Sequence, residues 1–331
     1  MFTIFKAEKP LRISPTNNTK TKEFRTMKLA TTTEDFTRYC PTVTECLTHV
    51  ADAGFRYVDL TQYTPHLIPE IFESDNWREN VKHIKEYAET LGLTFVQSHA
   101  PGVNPFGDNA DYNKVVSQIK RSIEVCGILG IKNNVIHHGY NPKIVSKDES
   151  TEMNIKFFSE FMPVAEEYGV NMLCENTTKK NMPTWYFPVS GAELVDFINA
   201  IGHPLVHACW DTGHGNCEGN QYEHLMTLGK DLYALHINDN SGRGDEHIIP
   251  YCGTLNMDDI MHGLIDSGYT GYFTFESCNT LRPAKYWQGD RHVFEADTRL
   301  SEPQLFMHKK VERLMYEIGE YILKSYDCFE E

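Results

Sequence analysis

The chain has 331 residues, a formal net charge of −15 and a pI near 5.4, a balance that gives no attraction to nucleic-acid phosphates or to anionic membrane surfaces. Its nine cysteines lie singly in apolar runs and loops, with no C-x-x-C pair, which reads as reduced thiols in a cytoplasmic protein. No apolar run approaches the roughly 20 residues that span a bilayer, so no membrane association is expected.

Residues 1–26 are polar, lack a periodic apolar face and carry six basic against two acidic residues, which leaves 27–331 at −19. They read as a disordered extension. From Met27 onward, short apolar runs alternate with segments of helical period, the pattern of parallel strand–helix units. Strands are predicted near 28–31, 56–60, 94–99, 134–137, 170–175, 206–211, 233–236 and 272–276. Helices are predicted over 43–53, 76–91, 112–129, 152–168, 192–201, 258–267 and from 302 to about 324. Several of them are followed by a glycine that can stop the helix: Gly54, Gly92, Gly130, Gly169 and Gly202. Eight strands alternating with helices predict a single (β/α)8 TIM barrel over 27–331, with chemistry at the C-terminal ends of the strands. A doubly wound open sheet is the rival, but no glycine-rich phosphate loop follows the first strand.

Six of the eight predicted strands end in residues able to ligate a metal: His99 in SHAP, His137 in IHHG, Glu175 in CENT, Asp211 with His214 in WDTGH, His236 in LHIND and Glu276 in FESC. One such residue is ordinarily scaffolding or solvated. Six at the one face where barrels place chemistry point to a site. Carboxylates with imidazoles suit one divalent ion of the Mn2+, Co2+, Mg2+ or Zn2+ kind, and no thiolate stands in the set. Alternation along the strand turns Cys174, next to Glu175, away from the barrel interior, while Cys209 shares the inward face of Asp211 one layer deeper. Glu175 and Glu276 stand on strands 5 and 8, nearly opposite across the ring. That placement fits proton removal from a carbon beside a metal-polarised carbonyl, through a metal-stabilised enediolate, with proton return at the opposite face or at the neighbouring carbon. The first outcome is epimerisation and the second is aldose–ketose isomerisation.

The series SHAP, IHHG, CENT, WDTGHGN, LHIND, DEH and FES resembles the xylose isomerase-like barrel superfamily over nearly all of the chain from Met27. This superfamily includes sugar isomerases and epimerases and the metal-dependent apurinic endonucleases. Resemblance to its ketose 3-epimerases implies a metal held by Glu175, Asp211, His236 and Glu276, with both glutamates doubling as acid and base. It assigns His214, His99 and His137 to the substrate, and Arg243, in the loop after strand 7, to the same role. It also leaves a homo-oligomer open. In that loop the family's Pro-Gly-x-Gly is replaced by Pro250-Tyr251-Cys252-Gly253. The loop MPTWYFP after strand 5 offers Trp185, Tyr186 and Phe187 to the apolar face of a sugar, and the insertion 279–298 carries Arg282, Lys285, Trp287, Arg291 and His292 as a cap or an anion site.

The reading is therefore an isomerase or epimerase of a small sugar or keto-sugar. A dehydratase of inosose or dehydroshikimate type is the alternative on the same scaffold. The endonuclease branch binds three ions, and His99, His137, Glu175, Asp211, His214, His236, Asp245, His247 and Glu276 could supply all its ligands. The charge of −19 on 27–331 argues against a grip on duplex DNA, so the expected partner is a small sugar and not a nucleic acid.

Overall fold

The computed structural model describes residues 25–144, 146–181, 188–281 and 302–331. Residues 1–24 of the expected extension, Trp185 with its aromatic neighbours, and Arg282, Lys285, Trp287, Arg291 and His292 lie outside the described residues.

Eight parallel strands form the core: β1 (Met27–Thr32), β2 (Tyr57–Thr61), β3 (Thr94–His99), β4 (Asn133–Ile136), β5 (Asn171–Glu175), β6 (Val206–Asp211), β7 (Leu232–His236) and β8 (Tyr272–Phe275). Neighbours run in sequence from β1 to β7, and β8 pairs with β1. The last gap is bridged by Ile237, whose N–H donates to Thr274 O at 2.7 Å while Glu276 N–H donates to Ile237 O at 3.0 Å. An open doubly wound sheet would leave two free edges there, so the barrel is the fold. A ninth strand, β9 (Phe329–Glu330), adds to the start of β1. Two residues are too short a run for hydropathy to mark.

Helices wrap the sheet where the periodicity predicts them, with ends set by ordinary capping chemistry. Thr42, Asp111 and Ser190 accept the N–H three residues on, and Ser190 completes a capping box with Glu193. The helix expected over 152–168 is two, Lys147–Ser159 and Met162–Tyr168, with Pro163 in the first turn of the second. A proline starts a helix more readily than it continues one.

Apolar side chains divide into two layers. Most, Cys174 included, pack between strands and helices. Val135, Leu173, Cys209 and Ala234 fill the barrel axis, as the alternation at Cys174 and Cys209 requires. This plug floors the site. Trp210, fully buried outside the ring, donates from Nε1 to Gln221 at 3.0 Å. Trp210→Ala is expected to lower unfolding free energy by about 3–5 kcal/mol in denaturant titration, and a loss below about 1 kcal/mol would contradict this packing.

Among the described residues no helix is long and apolar enough to cross a membrane.

Candidate active site

The strand ends deliver their ligand-type residues to one place. One ligand atom from each of Glu175, Asp211, His236 and Glu276 lies within 4.8 Å of the other three. His236 Nδ1 stands 2.5 Å from Glu175 Oε1 and 3.4 Å from Glu276 Oε2. A register shift between Ala208 and Cys209 brings Asp211 level with His236 across β6 and β7. Such irregularities beside a site re-aim side chains.

Asp211 is held on every side. Its backbone exchanges two hydrogen bonds with the Asn176 side chain, at 2.7 and 3.0 Å. Its Oδ2 accepts from Asn238 Nδ2 at 2.7 Å, and its Oδ1 accepts from His214 N–H at 2.6 Å. The last bond caps the short helix Thr212–Glu218, where the sequence TGHGN suggests only a turn. The glycines are there for space: a Cβ on Gly213 would come 1.8 Å from Asn238 Oδ1.

The remaining ligand-type residues form two flanking groups. His137 Nε2 is 2.7 Å from Glu175 Oε2 and 3.1 Å from His99 Nε2, and the His99 ring stacks on His236. On the other flank Asp245 joins His214 and His247, with contacts of 3.0 Å to each Nε2. His247 also faces Glu276. His99, His137 and His214 all line the cavity above this group. Arg243 is exposed at the tip of the loop after β7 and is not among the residues lining the cavity.

Electrostatics follow from burial and pairing. Burial alone would raise Glu175, but the charge of His236 and the hydrogen bonds from His137 and His236 hold its carboxyl well below the usual range. Against the same burial penalty, His236 and His247 hold Glu276 at about 2. Burial pushes Asp211 up to about 6, with His214 opposing. His214 is itself raised to about 10, because Asp211 and Asp245 outweigh its own desolvation. Burial disfavours charge on His236, yet Glu276 and Glu175 raise it well above its ordinary value. Three buried carboxylates thus converge where positive charge is required.

That donor set fits a divalent cation of the oxygen- and nitrogen-seeking kind. Glu175, Asp211, His236 and Glu276 would hold it, under a cavity of about 290 Å3 lined by Tyr63, His99, His137, His214, Asp245 and Glu276 among others. Among the described residues no Lys or Arg lines this cavity.

Two lining or supporting carboxylates escape a tally of last strand residues. Glu34, two residues past β1, lines the cavity, where burial and the neighbouring Glu276 raise its carboxyl. Asp59 lies two residues before the end of β2, fully buried under His236. The loop after β7 is tied by Asp239, which accepts from the N–H groups of Asn240, Leu255 and Gly253. In it Tyr251 holds φ +73 while 63% exposed, at the position where the family's pattern has its first glycine. Tyr251→Gly is expected to raise stability by about 0.5–1 kcal/mol in thermal unfolding. Destabilisation would show that the Tyr251 side chain contributes more than its backbone costs.

A closed eight-stranded barrel with carboxylates and imidazoles converging at its C-terminal face defines the class: a (β/α)8 protein built around a candidate metal centre. Residues 47–296 match the model of the xylose isomerase-like TIM barrel family, and the chain belongs to that family. It is 28% identical over 211 residues to an uncharacterized protein of Methanocaldococcus jannaschii, covering 61% of this chain and 70% of the relative. To an inosose isomerase of Bacillus velezensis it is 24% identical over 240 residues, covering 70% and 81%. Among solved structures, a D-tagatose 3-epimerase-like protein superposes with a TM-score of 0.65 at 21% identity, over 91% of this chain and all of that one. At that identity the likeness is one of fold.

Proposed function

We propose that the protein is a divalent metal-dependent isomerase or epimerase of a small sugar, keto-sugar or cyclitol ketone. The observation that carries this reading is the convergence of Glu175, Asp211, His236 and Glu276 within 4.8 Å at the barrel mouth. A bound ion would polarise the substrate carbonyl and lower the cost of negative charge on its oxygen. Glu175 and Glu276 are both ionised under their imidazole partners, so either can accept a proton from the carbon beside that carbonyl. They flank the group from β5 and β8, so a proton taken on one face can be replaced on the other. His137, beside Glu175, and His247, beside Glu276, orient the two carboxylates. His99, His137 and His214, which line the cavity, would contact substrate hydroxyls.

The relatives named above fit this reading, since an inosose isomerase and an epimerase-like protein share the family or the fold. A second reading has its own observation. His99, His137 and Glu175, and also Asp211, His214 and His247, form further groups whose ligand atoms lie within 4.8 Å of one another, which would suit a multi-ion hydrolase of phosphodiesters.

The readings separate by experiment. Metal-loaded protein should interconvert ketoses or inososes with conserved mass. Loss of water from the product would instead make it a dehydratase. Three Zn2+ per chain together with cleavage of abasic duplex DNA would replace the sugar reading altogether.

A further inference from the structure

The barrel interior holds a carboxylate that this chemistry does not use. Asp59 is 1% exposed. Its Oδ2 lies 3.4 Å from His236 Nε2 and accepts a 2.8 Å hydrogen bond from Gln97 Nε2. Gln97 Nε2 also reaches the carbonyl of Leu235 at 3.4 Å, one residue before His236. The alignment of these groups is built into the sheet. The β2–β3 register shifts between Val58 and Asp59, so Val58 pairs with Phe95 but Asp59 pairs with Gln97. Without that irregularity Asp59 would face Val96, which offers no donor. The other side of the same imidazole, Nδ1, faces Glu175 and Glu276. One ring nitrogen therefore looks into the four-residue group and the other at Asp59. Among the described residues Nε2 makes no hydrogen bond of ordinary geometry, and the 3.4 Å approach of the Asp59 carboxylate is a charge contact.

We propose that Asp59 is a positioning residue for the candidate metal centre: accepting the Nε2 proton of His236, it fixes the ring's tautomer and orientation so that the Nδ1 lone pair is presented to the cation. A carboxylate behind a ligating imidazole makes the imidazole a better donor and prevents its rotation. Gln97 in turn prevents rotation of the carboxylate. This inference rests on the metal reading of the site given above. A purely structural alternative exists, in which Asp59 serves only to satisfy Gln97, and it makes different predictions.

The test uses the full chain, stripped of metal with a chelator and titrated with Co2+, whose visible absorption reports the ligand field. Affinity is read by competition with a chromophoric chelator. Asp59→Leu is expected to weaken Co2+ binding by about 10- to 100-fold and to shift the absorption bands. Asp59→Asn keeps the shape and an acceptor oxygen but not the charge, and should weaken binding by less than about tenfold while still shifting the bands. If the Leu variant does not fold, the Asn variant decides alone. Unchanged affinity and unchanged bands in a folded Asp59→Asn protein would overturn the proposal, and a lowered apo melting temperature with those bands intact would assign Asp59 the structural role. Failure of the unsubstituted protein to bind Co2+ would overturn the metal reading itself and this inference with it.

Discussion

Glu175→Gln and Glu276→Gln are each expected to reduce interconversion of the substrate by at least about 10²–10⁴-fold while leaving the apo protein folded. Glutamine keeps the volume and one oxygen acceptor of the carboxylate but cannot carry a proton. At position 175 the change also removes the charge that faces His236 and leaves a single oxygen to serve the contacts with His236 and His137. At position 276 it removes the group facing both His236 and His247. The readout is solvent deuterium entering the carbon beside the carbonyl, with circular dichroism as the control for folding. Retained exchange in both variants would remove the two-carboxylate mechanism.

Chelation is the second large effect. Stripping the ion should abolish turnover and lower the melting temperature, because three buried carboxylates would lose their countercharge. With ion present at 100 times its Kd, binding adds about 2.7 kcal/mol to folded-state stability, and that contribution is lost on chelation. The pH dependence follows from His236. Its folded pKa is raised, so the metal-free site carries a proton that the ion must expel from Nδ1. More protons are bound without metal than with it, so apparent affinity rises with pH and falls as the solution is acidified. Calorimetry at several pH values checks this, and affinity that increases on acidification would contradict the assignment of His236 as a ligand.

Most of the frame was legible because barrel strands are buried on both faces and read as short apolar runs, so the eight strands and the metal-type residues at six of their ends stand out in the chain. Glu175, Asp211, His236 and Glu276 come together because each ends, or immediately follows, a strand of one closed ring. What the sequence hides is whatever depends on irregular backbone. The register shifts at Asp59 and Cys209 leave no mark in hydropathy. The helix over Thr212–Glu218 is concealed by glycines that are there for close approach to Asn238 and Gln221. Asp239 looks like one more loop acid, although it holds three backbone N–H groups. Arg243 has its role only from the resemblance, and it stands exposed, away from the residues that line the cavity. Asp245 and His247 are visible as DEH, yet only the loop's return across Asp239 and Ile248 sets them beside His214.

The central claim is that this barrel mouth moves a proton next to a carbonyl. It is tested most directly by incubating the metal-loaded protein in D2O with a panel of ketoses, ketose phosphates and inososes and following each by proton NMR. The account predicts that at least one compound loses the C–H beside its carbonyl, with product of unchanged composition apart from deuterium, and that Glu175→Gln protein does not catalyse the loss. Absence of exchange across the panel by protein shown to hold its ion would contradict it.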